Sequence, residues 1–443
     1  MRTRFASLLL AACAALFAST ALIAAEVPPL PADRDARFLG VDTCGSAECH
    51  GSQTPWRNAT VLMRERSIWQ AHDKHAQAYA ALTSEAGRRI ATKLGLADAG
   101  AAPECLVCHS TFVPAAQRGP KFKLEAGVGC ESCHGPGSSF LRAHVQVSSK
   151  HATNLAAGMY PTTDPAARAA LCLSCHQGDA KRRISHRIYG AGHPRLRFEL
   201  DTYGVIQPYH FNPDADYRRR KPTASHFRLW AAGQLGAARR LLAQIADPQA
   251  ARAGLFPELA QYDCHACHRA IGGDPGYRPR PGPRAGAPTL NDAPLIALRG
   301  LGAAIEPALS GRLREETRAL QLAVGAPAAR AAAIAALTRT LDALDGRLAA
   351  RSERAGDGAA VVHALNAVVA EETPLPFTAA EATAMSLSTL LLAEHEAGRL
   401  ADADYARIDH ALDGVYAALG DENTYRPAAL AAAVAALDRE LRQ

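Results

Sequence analysis

The stretch CESCHGPGSSFLRAH, Cys130 to His144, opens with two cysteines three positions apart and a histidine directly after the second. The same pattern recurs as Cys105-Leu106-Val107-Cys108-His109, Cys172-Leu173-Ser174-Cys175-His176 and Cys264-His265-Ala266-Cys267-His268. Residues i and i+3 sit about one helical turn apart, so both thiols of each pair face the same way. Neither a disulfide nor a zinc knuckle needs a histidine at the next position. Covalent haem does: the two sulfurs tether one porphyrin edge and the following histidine ligates the iron. The chain has 17 histidines in 443 residues, so four such coincidences are not chance. They read as four haem c attachment sites, with zinc a remote alternative.

A fifth candidate is irregular. In CGSAECHG, Cys44 to Gly51, four residues rather than two separate Cys44 from Cys49, and His50 follows. The order of cysteine, cysteine and histidine is kept, and Gly45 and Ser46 would let two extra residues bulge outward without moving either sulfur. A local disulfide between Cys44 and Cys49 is the competing reading. The expectation is a fifth haem, tethered by Cys44 and Cys49 with His50 below.

The chain's beginning bears on compartment. Arg2 and Arg4 precede an apolar run from Phe5 to Ile23, closed by Ala24-Ala25. This reads as a secretory signal over residues 1–25. Cys13 lies inside the apolar run, too early for a lipoprotein box. No later segment is apolar enough to span a bilayer, so the mature chain is expected to be exported and periplasmic, with no transmembrane segment. Ten cysteines follow Cys13, and all ten are accounted for by the five sites.

A six-coordinate haem iron needs a second axial ligand. Only Met63 and Met159 lie in the cysteine-bearing region, whereas His72, His75, His144, His151, His186, His193, His210, His226 and His265 fall there besides the five motif histidines. The supply points to bis-histidine irons at low reduction potential.

Four stretches carry a resemblance: Trp69-x5-His75-x3-Tyr79, CESCHGPGSSFLRAH, CLSCHQG at 172–178, and SHRIYGAGHPRLRFEL at 185–200. Together they resemble the cytochrome c-554-like multihaem cytochromes, a branch of the hydroxylamine-oxidoreductase-related superfamily. The likeness covers roughly residues 40 to 290. It implies histidines outside the motifs as distal ligands, haems in close pairs, and electrons passing between them. Carried over residue by residue, it implies His75, His144, His193, His186 and His210 as distal ligands, with His72 a substitute for His75. His151, His226 and His265 are expected to be structural, His265 pointing outward from its attachment loop. No CxxCK motif occurs.

The fold expected is mainly α. Residues 26–271 form a loop-rich multihaem domain of short helices, with a long amphipathic helix starting near Phe227. Residues 272–289 form a Gly/Pro-rich linker, with five glycines and five prolines between Gly272 and Pro288. Residues 290–443 are Ala-rich. Ile334, Leu337, Leu341, Leu344 and Leu348 recur at helical spacing, as do Leu430, Val434, Leu437 and Leu441 behind Pro427. Five or six helices are expected there, one opened by a Thr378–Glu381 capping box. His363, His395 and His410 are expected to face solvent. Such a bundle either docks a partner or second subunit, or simply packs on the haem domain.

Charge excludes little by itself. The formal net charge is +6. Loss of Arg2 and Arg4 and the addition of five ferric haems at about −1 each bring the holoprotein close to neutral, so nucleic acid is not an indicated partner. Lys181-Arg182-Arg183 and Arg218-Arg219-Arg220-Lys221 read as solvated loops, or as contacts for propionates or an acidic redox partner in the periplasm. The function expected is electron transfer through about five mostly bis-histidine haems. The alternative is an oxidoreductase acting on a small nitrogen or sulfur compound at one five-coordinate haem.

Overall fold

Proline and acidic or hydroxyl caps divide this chain into helices. The computed structural model describes residues 27–54, 63–250, 258–268, 288–372 and 374–442. The expected signal at 1–25, Cys13, Trp56 and most of the Gly/Pro-rich segment lie outside the described residues. The model is 65% helical, with 21 α-helices and no strands among the described residues. No helix among them is long and apolar enough to cross a membrane.

The motif-bearing part has short helices, each started by a local device. Pro103 and Pro165 occupy the first turn of helices Pro103–His109 and Pro165–His176, where a missing N–H costs nothing. Asp164 accepts from the Ala167 amide at 2.8 Å to cap the second of these. Its apolar clusters are small. One gathers Leu82, Ala91, Ala99 and Leu106; another gathers Ala169, Leu173 and Leu200.

The long helix forms as expected, over His226–Ala246, capped by the Ser225 hydroxyl accepting from the Arg228 amide at 3.2 Å. It buries Phe227, Trp230, Leu235, Leu241 and Leu242 against the C-terminal helices, in one continuous core with Leu298, Leu313, Leu341, Leu365 and Leu387.

Seven helices, not five or six, build the C-terminal part: Ala293–Ile305, Pro307–Leu322, Pro327–Ala349, Asp357–Glu372, Phe377–Glu396, Asp402–Leu419 and Pro427–Leu441. The extra breaks fall at Glu306-Pro307 and Ala326-Pro327, where a proline cannot continue the preceding helix. The leucine repeats are buried: Leu337, Leu341 and Leu344 are each fully covered. The Thr378–Glu381 capping box does not form. The helix starts at Phe377 after Pro376, and Glu381 reaches Arg195 and Arg197 instead. His410 is exposed and His363 half-exposed beside Asp438. His395, expected in solvent, stacks on Tyr405 at 4.1 Å between ring centres.

Arg182 is also not a solvated loop residue. It is buried, held by Asp33 at 3.3 Å and Asp179 at 2.8 Å. Arg218, Arg219 and Arg220 are exposed on the short helix Ala215–Arg220, where Asp216 pairs with two of them.

Candidate haem-binding centre

Each motif histidine has one other histidine facing it. Ring centres are 5.9 Å apart for His50 and His144, 6.0 Å for His75 and His176, 6.2 Å for His109 and His193, 6.2 Å for His134 and His210, and 6.1 Å for His186 and His268. The five partners are the five histidines that the resemblance implied. His72 is not among them. The helix Glu65–His72 ends there, the chain turns extended at Asp73, and His72 is left exposed.

The elements that hold these rings are local. Asp73 caps the 3₁₀ turn Lys74–Gln77, accepting from the His75 backbone amide at 3.0 Å and from His75 Nδ1 at 2.9 Å. Burial opposes ionisation of Asp73, but the bonds from His75 and Gln207 prevail and hold its carboxyl at about 2. His50 donates from Nδ1 to Glu65 at 3.0 Å, His109 to the Ala78 carbonyl at 2.9 Å, and His193 to the Pro194 carbonyl at 2.7 Å. Asn154 meets His144 Nδ1 at 3.1 Å. Where Nδ1 donates to an oxygen, at His50, His75, His109 and His193, the ring is fixed and the Nε2 lone pair is left free. Burial pushes His134 down to about 3 and His176 down to about 4, so both rings are neutral at ordinary pH. Sequence reading missed Glu65, Asp73 and Asn154; only Asp73, two residues before His75, carries a local hint.

The cysteines lie in short helices or turns, and no disulfide joins any of the ten described. The irregular site closes in an informative way. In the last regular site the His268 amide donates to the Cys264 carbonyl at 2.7 Å, a bond of one helical turn. At the first site the His50 amide donates to the Cys44 carbonyl at 3.0 Å, across two more residues. The insertion is looped out within the same closure. The Cys44 side chain lies beside that of Cys130, and Cys108 beside Cys175.

The first residue between the two cysteines is buried in all four regular motifs, and each is anchored differently. Leu106 and Leu173 enter the small apolar clusters. Glu131 accepts from the amides of Leu39 at 2.8 Å, Gly40 at 2.7 Å and Gly137 at 2.6 Å. Gly40 has φ +90°, and a Cβ there would lie 2.2 Å from the Lys121 carbonyl oxygen, so only glycine brings its amide to Glu131. His265 corrects the expectation of an outward side chain: it is 3% exposed, packed against Phe377 and Tyr425. One residue along a helix is a rotation of about 100°, which carries this position off the thiol face and into the protein.

Residues 43–135 match the family model described as cytochrome c554 and c-prime. Over that segment the chain is similar to the cytochrome c554 family. The matched segment spans the first three sites, the widened Cys44–Cys49 site included. No curated protein and no solved structure matches the chain. That family implies covalently bound haem c as the cofactor.

The residues present fit that cofactor. A metal–nitrogen bond of about 2 Å on each side, plus the distance from nitrogen to ring centre, separates two imidazoles on one iron by roughly the spacing of the five pairs. Among the described residues no group of three or more histidine, cysteine or acidic side chains converges as a metal site. Paired imidazoles with thiols nearby are a haem c donor set rather than a tetrahedral zinc one. A cavity of about 1240 Å³ runs between the long helix and the segment 195–200, with His176, Leu173, Phe198 and Leu235 on its wall.

Proposed function

We propose that this c554-like cytochrome is an exported, periplasmic electron-transfer protein that carries five haems, each ligated by two histidines. The observation that carries the reading is the pairing of all five motif histidines, each with a second histidine at 5.9–6.2 Å. In this reading Cys44 and Cys49, Cys105 and Cys108, Cys130 and Cys133, Cys172 and Cys175, and Cys264 and Cys267 are the tethers.

Haem c supplies reversible one-electron chemistry at iron when bound. The protein's part is to supply the paired histidines that would hold each haem and to bring the sites together. Glu65, Asp73 and two backbone carbonyls hold ligand rings in one orientation, so little has to move when charge changes. Side chains adjacent across motifs support close sites: Cys44 lies beside Cys130, and Cys108 beside Cys175. Tyr189 lies on the short helix that starts at His186, and its ring is 6.3 Å from that of His193. It spans the last site and the His109–His193 site.

The alternative of substrate conversion at a five-coordinate iron rested on a shortage of distal histidines, with His210 the weakest candidate. His210 lies 6.2 Å from His134, which favours the carrier reading.

Electron paramagnetic resonance of the oxidised holoprotein tests this. Low-spin ferric signals alone are expected, in two classes set by the angle between ligand planes. His50–His144 at 17° and His186–His268 at 33° are nearer parallel. The other three pairs, at 89°, 85° and 77°, are near perpendicular and give the more anisotropic class. A stoichiometric high-spin signal that shifts with nitric oxide or hydroxylamine overturns the carrier reading. Cys49→Ala is expected to lower the intact mass by one haem; an unchanged count removes the widened site.

A further inference from the structure

The C-terminal bundle does not merely adjoin the last motif. It grips the attachment loop from inside. The His265 ring, between Cys264 and Cys267, lies 5.6 Å from Tyr425 at 65° and 6.5 Å from Phe377. Phe377 and Tyr425 meet edge to face at 5.3 Å, and the Tyr425 hydroxyl donates to the Leu375 carbonyl at 2.8 Å, which fixes the ring.

A charged clamp lies beside this aromatic seat. Arg195, two residues after His193, sits over the Phe377 ring at 5.3 Å. It pairs with Glu381 at 2.6 Å and Glu422 at 3.5 Å, while Arg197 reaches the other Glu381 oxygen at 3.3 Å. Glu381 is only 12% exposed, so these charges act with less solvent screening than surface pairs. Both Glu422 and Arg195 lie close enough to Cys264 to act on it electrostatically.

On the five-haem reading, we propose that residues 293–441 are the wall of the fifth haem site, with Phe377, Tyr425 and Glu381 as positioning residues that set its reduction potential. The role assigned to the bundle is thereby a specific one, control of the Cys264–Cys267 site, rather than a general cap. Glu381 compensates two guanidinium groups beside that site. Removing its charge leaves the site more positive, and extra positive charge favours the reduced iron. The potential there rises.

The test is a spectroelectrochemical titration of the whole holoprotein with Glu381→Gln, Phe377→Ala and, as a remote control, Asp438→Asn. Asp438 pairs with His363 and Arg442 elsewhere in the bundle. Glu381→Gln is expected to raise one or two of five midpoint potentials, the fifth site and the neighbouring His193 site, with five haems retained and all low-spin. Asp438→Asn is expected to move none. If Phe377→Ala fails to fold, the near-isosteric Glu381→Gln still decides. Five haems with unmoved potentials in Glu381→Gln overturn this proposal alone, as does an equal shift of all five. A wild-type peptide mass with unmodified Cys264 and Cys267 breaks the five-haem reading and this proposal together.

Discussion

The motif-bearing region and the C-terminal bundle build their interiors by opposite means. The bundle, with the long helix His226–Ala246, buries one continuous set of leucines, valines and alanines. The larger part of the chain before that helix has apolar clusters of four and three buried residues. What it has instead is paired histidines, half-buried cysteines and polar anchors such as Glu131. A domain of that size needs a substantial interior. In a c-type cytochrome the cofactors complete it, and protein packing is needed mainly to aim the tethers.

The contrast breaks or sharpens on two substitutions of similar severity. Glu131→Ala removes the acceptor for three backbone amides and leaves them without a partner, at about 1–3 kcal/mol for each that stays dry. A total loss of about 3–5 kcal/mol is expected in urea unfolding of the holoprotein, with changed low-spin signals at the Cys44 and Cys130 sites that the residue ties together. Leu341→Ala, fully buried in the bundle, is expected to cost about 2–5 kcal/mol with all haem signals unchanged. If Glu131→Ala destabilises without touching any haem signal, the polar anchors are ordinary structure and the contrast fails.

How much of this was legible in the sequence follows the range of each interaction. The attachment motifs and the leucine repeats are short-range patterns tied to one chemistry or one helical period, and they could be read directly, whereas the five histidines that face the motif histidines came only with the family resemblance. Positions 106, 131, 173 and 265 could not. Haem places no demand on them, so each side chain answers only to the wall it meets, and His265 inside a motif looked like a spare polar residue. Glu381 was misread for a related reason. The spacing from Thr378 satisfied a capping rule, while its actual partners, Arg195 and Arg197, lie almost two hundred positions away. Arg182 sat in a basic run, and nothing nearby announced that Asp33 would bury it. Long-range ion pairs leave no periodic trace.

The smallest effect expected is at the seam where the two regions meet, and its sign follows from one titration. His226 opens the long helix and donates to Asp201 at 2.8 Å and Glu396 at 2.9 Å, one carboxylate from each region. Buried Glu199 adds a further acidic neighbour beside Asp201. The hydrogen bond to Asp201 is the main cause that raises His226 from its ordinary 6.5 to about 9. A group raised on folding stabilises fully below its unfolded value, and the stabilisation fades as pH rises through the folded one. Between about pH 6.5 and 9 the wild type should lose stability relative to His226→Gln, which does not titrate there. Thermal midpoints of the two holoproteins across that range measure it. Parallel curves would mean that the seam is held by packing of Phe227 and Trp230, and that the two kinds of interior are joined by the same apolar contacts that fill the bundle.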